Sequence, residues 1–137
     1  MTRDSLIERE TTDHVIGAFF EVYNGLGFGF LERIYADALE FELLARSRKV
    51  QREVAIPIWY KGKQLSPQRV DMIVDDNVLL EIKSTHVLPP TSERQLLNYL
   101  RASSLPVGLL LHFGPQPRFH RRVHTRKGTL LDPPNSR

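Results

Sequence analysis

Residues 69–83 read RVDMIVDDNVLLEIK. Two apolar runs flank the turn-forming triplet Asp75, Asp76 and Asn77, so the stretch reads as a β-hairpin. Along its second strand, Val78 to Lys83, side chains alternate between faces. Leu79, Glu81 and Lys83 share one face; Val78, Leu80 and Ile82 share the other. Glu81 and Lys83 therefore project side by side from an apolar strand. With a three-residue loop, the ladder sets Asp71 directly opposite Glu81, their Cβ atoms about 5 Å apart. A two- or four-residue loop moves Asp71 to the opposite face.

Two carboxylates this close repel each other unless a cation lies between them. A hard divalent ion such as Mg2+ takes oxygen ligands and keeps several waters, so two carboxylates and a backbone carbonyl suffice. Lys83, on the same face, is placed to hold a water and to stabilise charge on a phosphate oxygen. This set suits phosphodiester hydrolysis. The same residues also describe an ordinary cross-strand salt bridge, worth about 0–1 kcal/mol if exposed.

Upstream of the hairpin, Val50 to Trp59 has β-type texture and ends in the turn signal Tyr60-Lys61-Gly62-Lys63; a further run leads from Gln64 through Ser66-Pro67 towards Val74. The three strands make an antiparallel meander. Before it, Val15, Ile16, Phe19, Val22, Tyr23 and Leu26 recur at helical spacing, with Thr11 or Thr12 as N-cap and an end near Gly25. A second helix spans Leu31 to Arg46. Gly25, Gly27 and Gly29 join the two helices as a turn rather than a phosphate cradle, because no strand precedes them and no Lys-Ser/Thr follows. Downstream, Pro89-Pro90 breaks the chain and Thr91 or Ser92 caps a helix carrying Leu96, Leu97 and Leu100. Val107 to Phe113 is an apolar run between Pro106 and Gly114, as expected of a strand buried on both faces. Arg118 to His124 supplies an edge strand. The order α-α-β-β-β-α-β predicts an α/β fold with helices flanking a mixed sheet, the last buried strand parallel to an earlier one.

The 137 residues, 41% hydrophobic and 26% charged, fit one soluble domain. We expect an N-terminal extension at 1–10, the domain at 11–125 and a disordered basic tail at 126–137. Without cysteine the chain has no disulfides, no Cys-ligated metal and no thiol nucleophile. No apolar run approaches the roughly 20 residues that cross a bilayer, and Met1 to Glu10 lacks a signal-type apolar stretch; the expected location is cytoplasmic. The net charge of +3 is unevenly spread. Residues 114–137 carry six basic side chains against Asp132 alone, a balance of +5, which leaves −2 for the remainder. A basic end suits a polyanion, and equally a solvated terminus.

Asp71, with Glu81-Ile82-Lys83 following, resembles the bipartite motif of the PD-(D/E)XK nuclease superfamily, with Val70 standing where the superfamily name has Pro. Gln95-Leu96-Leu97-Asn98-Tyr99 resembles the QxxxY motif of its RecB-type branch. Gly29-Phe30-Leu31-Glu32-Arg33-Ile34-Tyr35 is similar to the motif naming the GxxExxY proteins, small members of that superfamily. The resemblance runs from about His14 to Gly114. It implies a restriction-endonuclease-like core and a nuclease dependent on Mg2+ or Mn2+, acting on DNA ahead of RNA. Asp71, Glu81 and the Ile82 carbonyl would hold the metal, Glu32 would reach it directly or through water, and Lys83 would orient water or stabilise the transition state. Gln95 would join this catalytic set, with Tyr35 and Tyr99 lining the site. The alternative is a binding or accessory protein that keeps the fold without turnover.

Arg118, Arg121 and Arg122 are the expected nucleic-acid contacts. His120 and His124 lie among these arginines, which disfavours a zinc site, and His112 is expected at the core or rim. Target specificity in so small a chain would come from a homodimer, a larger repair or defence complex, or nucleic-acid ends.

Overall fold

The computed structural model describes residues 7–124. The basic tail expected at 126–137 lies outside the described residues, as do the first six positions of the N-terminal extension. Helix α1 (Arg9–Leu26) and helix α2 (Glu32–Ala45) precede strands β1 (Val50–Ile56), β2 (Trp59–Tyr60), β3 (Lys63–Gln64), β4 (Gln68–Val74) and β5 (Val78–Lys83). Helix α3 (Ser92–Ser103), β6 (Val107–Phe113) and β7 (Pro117–Val123) complete the chain. The main sheet has the order β1-β4-β5-β6-β7, while β2 and β3 form a separate small hairpin at the expected Tyr60–Lys63 turn. Every neighbouring pair in the main sheet is antiparallel except β5 and β6, the parallel pair joined through α3.

Burial explains this layering. All seven residues of β6 are buried and five of six in β5, as strands covered on both faces require. Val15, Phe19, Tyr35 and Leu39 from α1 and α2 pack with Met72, Leu80, Ile82 and Leu109 on one side of the sheet. Leu96 and Leu100 of α3 pack with Ile73, Leu79 and Leu110 on the other. A Cβ at Gly108 would stand 2.8 Å from Leu96 Cδ1, so the absent side chain lets α3 approach β6. Phe113 ends β6 under an aromatic stack, with Tyr35 at a 4.0 Å centroid distance and Phe19 edge-on at 4.8 Å.

The expected start of α1 is corrected. The helix begins at Arg9, after a left-handed Glu8, without a side-chain cap. Thr11 and Thr12 lie inside its first turns: Thr12 Oγ1 donates to the Arg9 carbonyl, and Thr11 Oγ1 donates to Asp75 Oδ2 at 2.8 Å. Thr11 thus ties the helix to the β4–β5 turn. In that turn Asp75 and Asp76 both have positive φ, 52° and 63°, and Asn77 N–H donates to the Val74 carbonyl. This is a primed turn of the kind that matches strand twist. Asp75 also accepts from Lys49 N–H and Arg48. Burial raises its pKa, but these hydrogen bonds outweigh that effect and hold it below the ordinary value.

Candidate active site

The turn fixes the site. Val74 pairs with Val78, Ile73 with Leu79 and Met72 with Leu80, the three-residue-loop register expected from sequence. The next position places Asp71 opposite Glu81, and there the side chains take over from the ladder. Asp71 N–H donates to Glu81 Oε1 at 3.1 Å, and Ile82 N–H donates to Asp71 Oδ2 at 2.6 Å. Each carboxylate therefore fills the gap between the diverging strands by accepting from the other strand's backbone.

These hydrogen bonds do not neutralise the pair. Burial, then the neighbouring Asp71 charge, pushes the Glu81 pKa from 4.5 up to about 8. Burial also raises Asp71, with further upward pushes from Glu32 and Glu53, although the Ile82 N–H and Lys83 partly offset them. Lys83 is half-buried and favours the charged form of both acids. Among the described residues, however, no ion pair within 4.0 Å joins it to either, so the cross-strand salt bridge is not formed.

Glu32 arrives from the opposite layer as the first residue of α2, where a carboxylate suits the helix N-terminus. It accepts from Ser84 N–H at 3.1 Å, just beyond Lys83, and lines a cavity of about 340 Å³ with Asp71, Ile82, Arg33, Arg69 and Glu53. Glu53 was not singled out in the sequence. It stands across from Asp71 on β1, where pairing lapses between Arg52–Met72 and Val54–Val70, and its φ of 50° is left-handed. Such backbone costs a non-glycine residue about 1 kcal/mol or more. No local motif signals it; only the β1–β4 register does.

Tyr99 of α3, the helix on the Leu79 face that Glu81 shares, feels the acid pair: burial, then Glu81 and Asp71, raises its phenol. Gln95, one turn earlier on that helix face, is exposed. Tyr35 is wholly buried rather than open to the cavity. Its hydroxyl donates to the Gly27 carbonyl at 2.5 Å and accepts from Phe30 N–H at 3.2 Å, fixing the loop that delivers Glu32.

The arginines are dispersed along β7. Arg118, at the Lys83 end of the sheet, pairs in register with His112 and is exposed. Arg121 donates to the Ile7 carbonyl, and Arg122 is engaged by Glu93 of α3. His112 is buried and hydrogen-bonded through Nε2 to the Thr85 carbonyl at 2.8 Å, pinning the segment that follows β5.

Among the described residues no cluster of three or more His, Cys, Asp or Glu is already arranged around a metal position. The donor chemistry nevertheless fits a hard divalent cation. Asp71 and Glu81 supply adjacent carboxylate oxygens whose mutual repulsion Lys83 only partly offsets.

Comparison with known proteins bears on the fold and the family. The crystal structure of SSO0001 superposes with a TM-score of 0.54 at 23% identity, covering 70% of this chain and 52% of that one, a likeness of fold. The chain thus spans about half the length of that protein. No match is found among curated proteins. A family model described as the PD-(D/E)XK nuclease superfamily matches residues 9–124, nearly the whole described structure, and the chain belongs to that superfamily.

Proposed function

We propose that the chain is a divalent-metal-dependent nuclease, acting on DNA in preference to RNA, with the GxxExxY and RecB-type motifs read in the sequence as its site elements. The carrying observation is the pairing of buried Glu81 with half-buried Asp71 at the point where β4 and β5 diverge, each acid accepting from the other strand. Asp71, Glu81 and the Ile82 carbonyl would hold Mg2+ or Mn2+, with Glu32 approaching from α2. The ion, when bound, supplies Lewis-acid stabilisation of charge on phosphate oxygens.

The chain's own residues supply the rest. Lys83, half-buried and unpaired with the acids, donates to the attacking water or to a phosphate oxygen and stabilises negative charge as it develops. Glu32 is held by Ser84 N–H on the opposite side of the cleft, so acids from α2 and β4 border one cavity. Tyr99 borders the acid pair from the α3 side, and Gln95 lies on the same helix face. Arg118 is the β7 arginine best placed for a phosphate contact, since it is exposed at the Lys83 end of the sheet and donates only to the exposed Gln116 side chain, whereas Arg121 is held by the Ile7 carbonyl and Arg122 by Glu93.

Lys83→Ala tests the reading. Its contact develops mainly in the transition state, so turnover should fall at least about 100-fold while nucleic-acid binding changes by less than about threefold. Equal losses in binding and turnover contradict the assigned role. A wild type that binds but never cleaves with either metal favours the accessory-protein reading.

A further inference from the structure

The loop between α1 and α2 presents rings to solvent beside the acid cleft. Phe28 is 44% exposed, Phe30 47% and Leu31 71%. Isolated exposed apolar side chains are common and need no explanation, but these three lie together and immediately precede Glu32. They line an open recess of about 450 Å³ together with Glu32 and His86. The His86 ring is exposed and lies 6.2 Å from that of Phe28. Glu32 also borders the cavity holding Asp71, so the aromatic recess and the acid cavity are neighbours that share Glu32 as a wall.

The loop is built to hold this arrangement. Gly27 and Gly29 take φ values of 73° and 114°, open to glycine and strained for other residues. Tyr35 clamps the Gly27 carbonyl and Phe30 N–H from beneath, and Ser84 Oγ donates to the Phe30 carbonyl at 2.5 Å. The Phe30 backbone is thus fixed from both sides while its ring remains half-exposed. A ring fixed before binding loses little freedom when a flat partner stacks on it. Nucleobases are such partners, and aromatic stacking accepts any base because each has a π-face.

We propose that Phe28 and Phe30, with His86 beside them, form a stacking platform for unpaired bases of single-stranded DNA entering the acid cleft past Glu32. This rests on the nuclease reading of that cleft and narrows its substrate to strands with unpaired bases next to the scissile phosphate. A blunt duplex keeps its base faces in its own stack and offers the rings only its terminal pair.

The test is equilibrium binding in metal-free buffer, followed by fluorescence anisotropy. The ligands are a labelled single-stranded oligodeoxynucleotide, the same strand with consecutive abasic sites, and a blunt duplex. The Phe28→Ala/Phe30→Ala double variant should bind the single strand at least about tenfold more weakly, with its salt dependence unchanged because no phosphate contact is lost. Wild type should bind the abasic strand about as weakly as the double variant binds the intact one, and duplex affinity should be the same for both proteins. Phe28→Trp, which keeps a stacking ring, should retain single-strand affinity. Undiminished single-strand binding by the double variant overturns the proposal, as do equal losses on single strand and duplex. It is likewise overturned if the double variant only abolishes self-association, which identifies the patch as a protein-docking face. Because these assays involve no turnover, ring-dependent binding by a protein that cuts nothing with Mg2+ or Mn2+ removes the nuclease reading alone. Cleavage that ignores both phenylalanines removes the platform alone.

Discussion

Metal-free protein should become less stable as pH rises from about 5 to 8, and Glu81→Gln should remove most of that slope. In the unfolded chain Glu81 loses its proton near 4.5; in the fold, burial and then the Asp71 charge hold the proton until about 8. Between those values the folded state binds more protons than the unfolded state, so stability declines with rising pH. Below 4.5 both states are protonated and the penalty is absent. The full displacement corresponds to roughly 5 kcal/mol, a large share of the roughly 5–15 kcal/mol that holds an ordinary domain together. Asp71 is raised as well and adds in the same direction at lower pH. Asp75, held low, contributes stability above its unfolded pKa of 3.8 that is lost only on further acidification, so it does not produce this slope. Gln at position 81 keeps an acceptor for Asp71 N–H and removes the charge. Urea unfolding in EDTA at half-unit intervals of pH measures both profiles. Adding Mn2+ should stabilise the wild type more at pH 8 than at pH 5, since a cation offsets the repulsion only where the acids are ionised. A flat wild-type profile, or one that falls identically in Glu81→Gln, contradicts a buried Glu81 without a compensating cation.

Two further substitutions test the scaffold around the site. Tyr35→Phe keeps the stack on Phe113 but removes the hydroxyl that holds Gly27 and Phe30, so denaturant unfolding should show a loss of about 1–2 kcal/mol; an unchanged midpoint means the clamp contributes nothing. Asp76→Gly relieves a positive φ of 63° and gives up only an exposed ion pair to Lys49. Thermal unfolding should therefore show a gain of about 0.5–1 kcal/mol, and destabilisation would show that the turn depends on the Asp76 side chain.

The parts of the fold that short-range rules govern were legible in the sequence. Loop length fixes hairpin register, so the three-residue loop read at Asp75, Asp76 and Asn77, one of the loop lengths the sequence left open, sets Asp71 opposite Glu81, and Val78–Lys83 has the expected limits. Gly27 and Gly29 break the chain between the helices as read, although Gly25 stays inside α1, and the unbroken apolar run at 107–113 had to be buried on both faces. What stayed hidden depends on partners distant in the chain. Thr11 looked like a cap, yet its hydroxyl goes to Asp75, 64 residues away. Arg122 looked free for phosphate, but packing of α3 beside β7 brings it Glu93. Tyr35 reads as an aromatic at helical spacing, and nothing local reveals that its hydroxyl secures the preceding loop. Glu53 is an unremarkable strand acid until β1 and β4 are in register and it faces Asp71 in a left-handed conformation.

Whether Asp71 and Glu81 carry metal-dependent cleavage is read most directly from labelled single- and double-stranded DNA and RNA incubated with wild type and Asp71→Asn, in Mg2+ or Mn2+ and in EDTA. We predict cleavage by the wild type with metal, DNA cut faster than RNA, none in EDTA, and a loss of at least about 1,000-fold in Asp71→Asn. Cleavage that survives EDTA or the Asp71 substitution, or a wild type inert on every substrate with both metals, contradicts it.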